Sequence, residues 1–214
     1  MIELHCYYSL SSPWAYLAGP QLQDIVRRHR VRLLLKPFDF QTVVPKTGGV
    51  PIRTRVAPRR AYHDLELQRW SESLGLPLVL KPPHYPHQMP ADPNWNKYAG
   101  WMVIAAQDQG LDAFPLSHAI LRAVWAEERD IALPETRREI ADENGYDGAA
   151  LVAAEQSPRV QDLYRMYSDE ALALGVFGAP SFVLDGEIFW GQDRLGSVDR
   201  ALAKKRARLK PHSI

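Results

Sequence analysis

A chain of 214 residues, 46% of them hydrophobic, can bury one sizeable core, either whole or split by an insertion. Its 26 Lys and Arg stand against 25 Asp and Glu, and a net charge of +1 offers no broad field to nucleic acid or an anionic membrane. A single cysteine, Cys6, excludes an internal disulfide and a two-cysteine redox cycle within one chain.

Residues 2–8 alternate roughly between apolar and polar, the period of a strand. Ser9-Leu10-Ser11-Ser12-Pro13 then reads as a helix start, with Ser12 as the cap and Pro13 in the first turn. This helix is expected to reach about Arg28, with a disturbance at Gly19-Pro20. Arg32 to Phe38 predicts a second strand, so the opening is a βαβ unit. A loop is expected from 41 to 57. A helix is then expected over 58–73, where Tyr62, Leu65, Arg69 and Trp70 recur at helical spacing. Residues 76–93 hold six prolines and are expected to be mostly irregular. Further helices are expected over 94–109, 115–127, 134–143, 147–155 and 158–174. Gly178 to Gly191 predicts two strands joined by a tight turn at Asp185-Gly186, and a last helix spans 193–206. The basic run Lys204 to Lys210 reads as a solvated helix end, where cations suit the dipole. The pattern is βαβ, a helical block, then ββα. It predicts an α/β thioredoxin-like domain built from residues 1–45 and 176–214, interrupted by a helical insertion domain over 46–175.

A helix N-terminus directly after a strand favours anions and thiolates, through unpaired N–H groups and the helix dipole. Thioredoxin-like redox enzymes carry Cys-x-x-Cys there. Here the residues are Ser12-Pro13-Trp14-Ala15, so both sulfur positions are gone. Cys6, in the preceding strand, reads as a small buried hydrophobe. Ser12 has two readings: a plain cap, or a polar group facing a bound ligand. Proline is uncommon inside sheets, so Pro180 at a strand start suggests a cis Ala179-Pro180 bond, and in thioredoxin folds a cis proline there faces the start of the first helix. The backbone of Ala179 can then pair with a peptide-like ligand. In Trp190-Gly191-Gln192-Asp193-Arg194-Leu195, Gln192 or Asp193 either caps the last helix or recognises a charged amino-acid-like group. His84 and His87, without a nearby Cys or acidic partner, do not make a metal site. Trp95, Trp101 and Trp125 read as core.

Several blocks carry a family resemblance. They are Ser12 to Leu17, Arg59-Arg60-Ala61-Tyr62, Leu67-Gln68-Arg69-Trp70, Ala123 to Glu127, Phe177 to Ser181 and Phe189 to Leu195. Together they make the chain resemble the 2-hydroxychromene-2-carboxylate isomerases and kappa-class glutathione transferases of the DsbA-like thioredoxin group. The resemblance implies glutathione as cofactor, with its thiolate hydrogen-bonded by Ser12 and that contact shaped by Pro13 and Trp14. It implies that Ala179, before Pro180, pairs with the cysteinyl part, and that Gln192 and Asp193 hold the γ-glutamyl end. Arg59 matches a basic residue near the glycine carboxylate. The asparagine usual in the family's loop ahead of that helix is missing from Gly48 to Val56, and Arg53, Thr54 or Arg55 stand in its place as candidate substrate ligands. The proline-rich stretch from Lys81 to Pro90 is expected to wall the substrate site. The implied activity is reversible addition of the thiolate to an unsaturated aromatic-derived acid, an isomerisation in aromatic catabolism. The alternatives are a glutathione transferase or glutathione-dependent oxidoreductase on the same scaffold, and a non-catalytic thioredoxin-like binding protein. A homodimer is implied by the resemblance alone. With no signal-peptide layout at the start and no run of roughly 20 apolar residues, a cytoplasmic location is expected.

Overall fold

The computed structural model describes residues 1–85, 94 and 96–209, without the Arg53 side chain. Four strands form one sheet: β1 (Glu3–Tyr8), β2 (Arg32–Pro37), β3 (Ser181–Leu184) and β4 (Glu187–Trp190), in the order β2-β1-β3-β4. β1 runs parallel to β2 and antiparallel to β3, with Cys6 opposite Leu35 and Phe182. The βαβ…ββα order of a thioredoxin-like fold is therefore present.

Helix α1 (Pro13–His29) crosses from β1 to β2. Its Ser12 cap accepts from the Ala15 N–H at 3.2 Å, and Arg27, Arg28 and His29 place cations at its C-terminal end. Pro20 lies inside the helix without ending it. Proline removes one N–H bond, and the buried face of Leu17, Leu22 and Ile25 outweighs that loss. Gly19 brings α5 (Ala113–Trp125) close, because a Cβ there would lie 2.3 Å from His118 Nδ1.

The loop expected over 41–57 contains structure. Helix α2 (Phe40–Lys46) is capped by Asp39, which accepts from the Thr42 N–H at 3.1 Å, and a single 3₁₀ turn follows at Ile52–Thr54. Val43 and Val44 pack with Tyr7, Phe38 and Val183 beyond the α1 side of the sheet. Two turns interrupted by Pro45 are too short to show a period. Helices α3 (Ala57–Leu74), α4 (Tyr98–Asp108), α6 (Pro134–Glu143), α7 (Gly148–Glu155) and α8 (Pro158–Leu174) follow the expected order. The Asp185-Gly186 turn has positive φ at both residues, 51° and 83°. A 3₁₀ turn at Gln192–Arg194 leads into α9 (Leu195–Leu209). The basic end of α9 is more than a solvated tail. Lys205 binds Asp185, and Arg206 donates to the Arg28 and His29 carbonyls at the C-terminus of α1, at 3.4 and 2.9 Å.

One hydrophobic cluster runs from β1 and α1 through α4 and α5 to Ile140 and Leu151. Cys6, Trp101 and Trp125 lie in it, as expected, while Trp95 is outside the described residues. At the β2 edge of the sheet, one side chain pairs with the backbone. Gln107 accepts the Leu35 N–H at 2.9 Å and donates to the Leu35 carbonyl at 3.2 Å, imitating a neighbouring strand. Among the described residues, no helix is long and apolar enough to cross a membrane.

Between α6 and α7, Arg137 is fully buried against Glu155. Its Nε donates to Glu155 at 3.0 Å, Nη2 donates to the same carboxylate, Nη1 reaches the Ile131 and Ala132 carbonyls, and its guanidinium lies 5.0 Å from the Tyr98 ring centre. Removing one partner strands the other charge. Arg137→Ala is expected to cost about 3–5 kcal/mol, and pairing Arg137→Met with Glu155→Leu to recover most of it. Urea unfolding measures both, and a cost below about 1 kcal/mol for the single variant would show that the pair does not hold these helices together.

Candidate active site

Two ends of the chain meet at the start of α1. The Tyr7–Ser181 pairing brings Pro180 to the end of β1, and Tyr8, Ala15 and Pro180 line one small cavity beneath α1. The Ala179-Pro180 bond is cis, as the sequence predicts. The Pro180 carbonyl accepts from the Gly191 N–H at 2.9 Å, whereas the Ala179 N–H and carbonyl have no partner among the described residues.

Ser12 is 9% exposed. Its Oγ accepts from Ala15, which spends a lone pair and leaves the O–H to donate. Pro13 has no N–H, and the Tyr16 N–H goes to the Ser12 carbonyl at 3.2 Å. Among the described residues, the Trp14 amide has no acceptor and remains the unfilled donor of the helix start. A donating hydroxyl, an amide with no partner among the described residues and the positive end of a helix thus belong to one helix start. Cys6 lies deeper, and burial alone pushes its thiol well above the usual range.

The structure places the other expected residues as follows. Gln192 is buried, Asp193 is exposed, and their 3₁₀ turn packs against α1. Asp193 lies 3.3 Å from Arg194 and folds over Gly191, whose φ of 105° suits glycine. Gly178 also has to be glycine, since a Cβ there would sit 2.2 Å from the Trp190 indole nitrogen. This leaves Trp190 edge-on to Phe177, both partly exposed. Across from them, Gly49 touches the Phe177 carbonyl and Thr47 donates to the Val176 carbonyl at 2.7 Å, which pins the start of the 50–56 segment. Arg53 lies on the 3₁₀ turn there. The Thr54 hydroxyl donates to the Pro51 carbonyl, and Arg55 Nε to the Val50 carbonyl. Burial, and then the charge of Arg59, lower the pKa of Arg55, so a second anion-seeking group stands beside Arg59. Arg59 itself is exposed on the first turn of α3. His84 sits 3.7 Å from Asp130, and His87 is outside the described residues, as is Pro86 to Pro90 of the proline-rich stretch.

His63 was not anticipated. It lies one turn beyond Arg59 on α3, and its Nε2 accepts from the Trp14 indole N–H at 3.1 Å. Only its i+4 spacing from Arg59 pointed to it in the sequence. Elsewhere, a wide groove crosses the opposite face of the sheet, but its buried Lys36 is already paired with Glu170 and the Tyr7 hydroxyl.

Comparison with known proteins supports the fold. A family model described as a DSBA-like thioredoxin domain matches residues 3–203. The chain is 31% identical over 197 residues to a 2-hydroxychromene-2-carboxylate isomerase of Sphingobium xenophagum, covering 92% of this chain and 95% of that one. It is 27% identical over 217 residues to glutathione S-transferase kappa 2 of Caenorhabditis elegans, covering 92% and 90%. Among solved structures, it resembles a 2-hydroxychromene-2-carboxylate isomerase with a TM-score of 0.76 and 25% identity, over 98% of this chain and 100% of that one. A cytosolic disulfide reductase, DsbM of Pseudomonas aeruginosa, determined with GSH, shares the fold with a TM-score of 0.66 at 22% identity, over 97% and 100%.

The electropositive helix start predicts the behaviour of a cysteine placed there. A Ser12→Cys thiol is expected to titrate below the ordinary value of about 8.5, while buried Cys6 stays silent. Alkylation rate against pH measures this, and a midpoint at or above about 8.5 would mean that the helix start does not favour a thiolate.

Proposed function

The chain belongs to the DsbA-like thioredoxin family, alongside the 2-hydroxychromene-2-carboxylate isomerases and kappa glutathione transferases, and on that premise we propose that it is a glutathione-dependent isomerase of the first kind. One observation carries the reading: the Ser12 hydroxyl caps α1 with a lone pair and keeps its proton for a ligand at the helix start. Such a donor suits a sulfur anion. Glutathione, when bound, supplies a thiolate nucleophile for reversible addition to an unsaturated aromatic-derived acid.

The residues divide the work by position. Ser12 donates to the sulfur, and the Trp14 amide adds a second donor to the same charge. Ala179 offers its free N–H and carbonyl to the cysteinyl backbone, in the manner of an added strand. Gln192 and Asp193 receive the γ-glutamyl end, where the exposed Asp193 carboxylate meets an ammonium group. Arg59 receives the glycine carboxylate. Arg53, Thr54 and Arg55 are assigned to the organic substrate, whose own carboxylate pairs with an arginine. Phe177 and Trp190 give its ring an apolar wall.

A kappa-type transferase is the second reading, favoured by the kappa relative; it uses the same thiolate on a different substrate. A dithiol oxidoreductase within one chain lacks its sulfurs. A homodimer belongs to the proposal and is read by sedimentation.

Ser12→Ala is expected to raise the pKa of bound glutathione and to lower turnover by about 10²-fold, the usual loss of one preorganised donor. Thiolate absorbance against pH and calorimetry follow the first effect, and spectral change of a hydroxychromene carboxylate the second. Absence of glutathione binding by the parent protein would end both readings. Binding without turnover of that substrate would leave the transferase.

A further inference from the structure

The segment that carries the arginines is weakly held. Residues 57–62 of α3 are exposed all round, and the helix begins at Val56 with no side-chain cap. Its only fully buried residue is Leu67. Each described side-chain hydrogen bond from residues 50–62 stays within that segment or α3: Thr54 to Pro51, Arg55 to Val50, Arg60 to Arg55, and Tyr62 with Glu66. After Gly49, the next firm tie to the rest of the molecule is His63, only 15% of whose side chain is exposed. Its ring meets Trp14 edge-on, with centres 5.5 Å apart and planes at 86°. Arg59 stands on the same helix face, one turn earlier.

We propose that His63 is a positioning residue, whose unprotonated Nε2 accepts the Trp14 indole N–H and thereby holds the first half of α3, with Arg59, over the start of α1. An indole N–H only donates, so Nε2 must be bare and the proton sits on Nδ1, towards Asp64 at 3.4 Å. Protonating Nε2 sets two donors against each other and opens the tie. The groups around His63 set when this happens. Burial and the charge of Arg55 lower its pKa below the ordinary 6.5, Asp64 opposes them, and α1 presents only the neutral Trp14. The sign follows. With the folded pKa depressed, the tie is complete at neutral pH and is lost as pH falls through a value below 6.5. Trp14 is thus fixed from both sides, by the helix and by the imidazole. The role assigned to Arg59 rests on the glutathione reading; the tie itself does not.

Two measurements separate these points. In a ¹⁵N spectrum, the indole signal that vanishes in Trp14→Phe is expected to shift with pH, with a midpoint below 6.5. His63→Gln, whose amide oxygen still accepts, is expected to abolish the titration. Hydrogen exchange over residues 57–62 is expected to speed up at least about fivefold in His63→Ala and by less than about twofold in His63→Gln. An indole signal indifferent to pH, or one that still titrates in His63→Gln, would overturn the tie. Unchanged exchange in His63→Ala would overturn the positioning. Neither readout needs glutathione. Calorimetry then tests the shared part: about tenfold weaker glutathione binding in His63→Ala, restored in His63→Gln, is expected. A parent protein that binds no glutathione would refute the function while leaving the tie to be judged on the first two results.

Discussion

The antiparallel pairing of β1 with β3 is the constraint on which the rest depends. Only three residue pairs define it: His5 with Val183, Cys6 with Phe182, and Tyr7 with Ser181. They join residues 5–7 to residues 181–183, in the last fifth of the chain, and they set the end of one strand beside the start of the other. A slip of one residue would turn Cys6 and Phe182, both fully buried, towards the opposite face. Burial of these side chains therefore fixes the register, and the register fixes where Pro180 lies relative to α1.

The helix start at that junction reconciles two demands that compete elsewhere. A cap needs an oxygen that accepts, and an anion needs a group that donates. A serine hydroxyl meets both, because it has lone pairs and one proton. Alanine would meet neither, and a carboxylate would cap well but repel an anion. This narrows the useful side chains at position 12 to hydroxyls and, with different chemistry, to a thiol. The interior supports this junction with apolar packing rather than further charge. The buried Arg137 and Glu155 serve the packing of α6 on α7.

Much of the fold was legible in the sequence for identifiable reasons. Caps and breakers are local: Ser12-Pro13, Pro134, Ser157-Pro158 and Asp185-Gly186 each mark an element end that the structure repeats. The cis bond at Pro180 was legible because the thioredoxin-like order around it carries a cis proline at that strand start, although most X-Pro bonds are trans. What stayed hidden was either too short or too distant. Helix α2 spans only two turns around Pro45. The Trp14–His63 bond crosses 49 positions, and nothing in either segment names its partner. The same holds for Gln107 on the edge of β2 and for Arg206 at the end of α1, each of which completes the backbone of a segment remote in sequence.

The interrupted sheet has a consequence in time. The ribosome delivers β1, α1 and β2 first, and they emerge with one side of β1 unpaired. At roughly 5–20 residues per second, the roughly 140 residues separating β2 from β3 need on the order of ten seconds to follow. Throughout that interval the nascent chain offers a bare strand edge flanked by apolar side chains, the kind of surface that chaperones shelter. The helical block can compact meanwhile, since its contacts are local. The junction of Ser12 with Pro180 is therefore among the last features of the molecule to exist, and a truncated chain, however well its helices form, never acquires it.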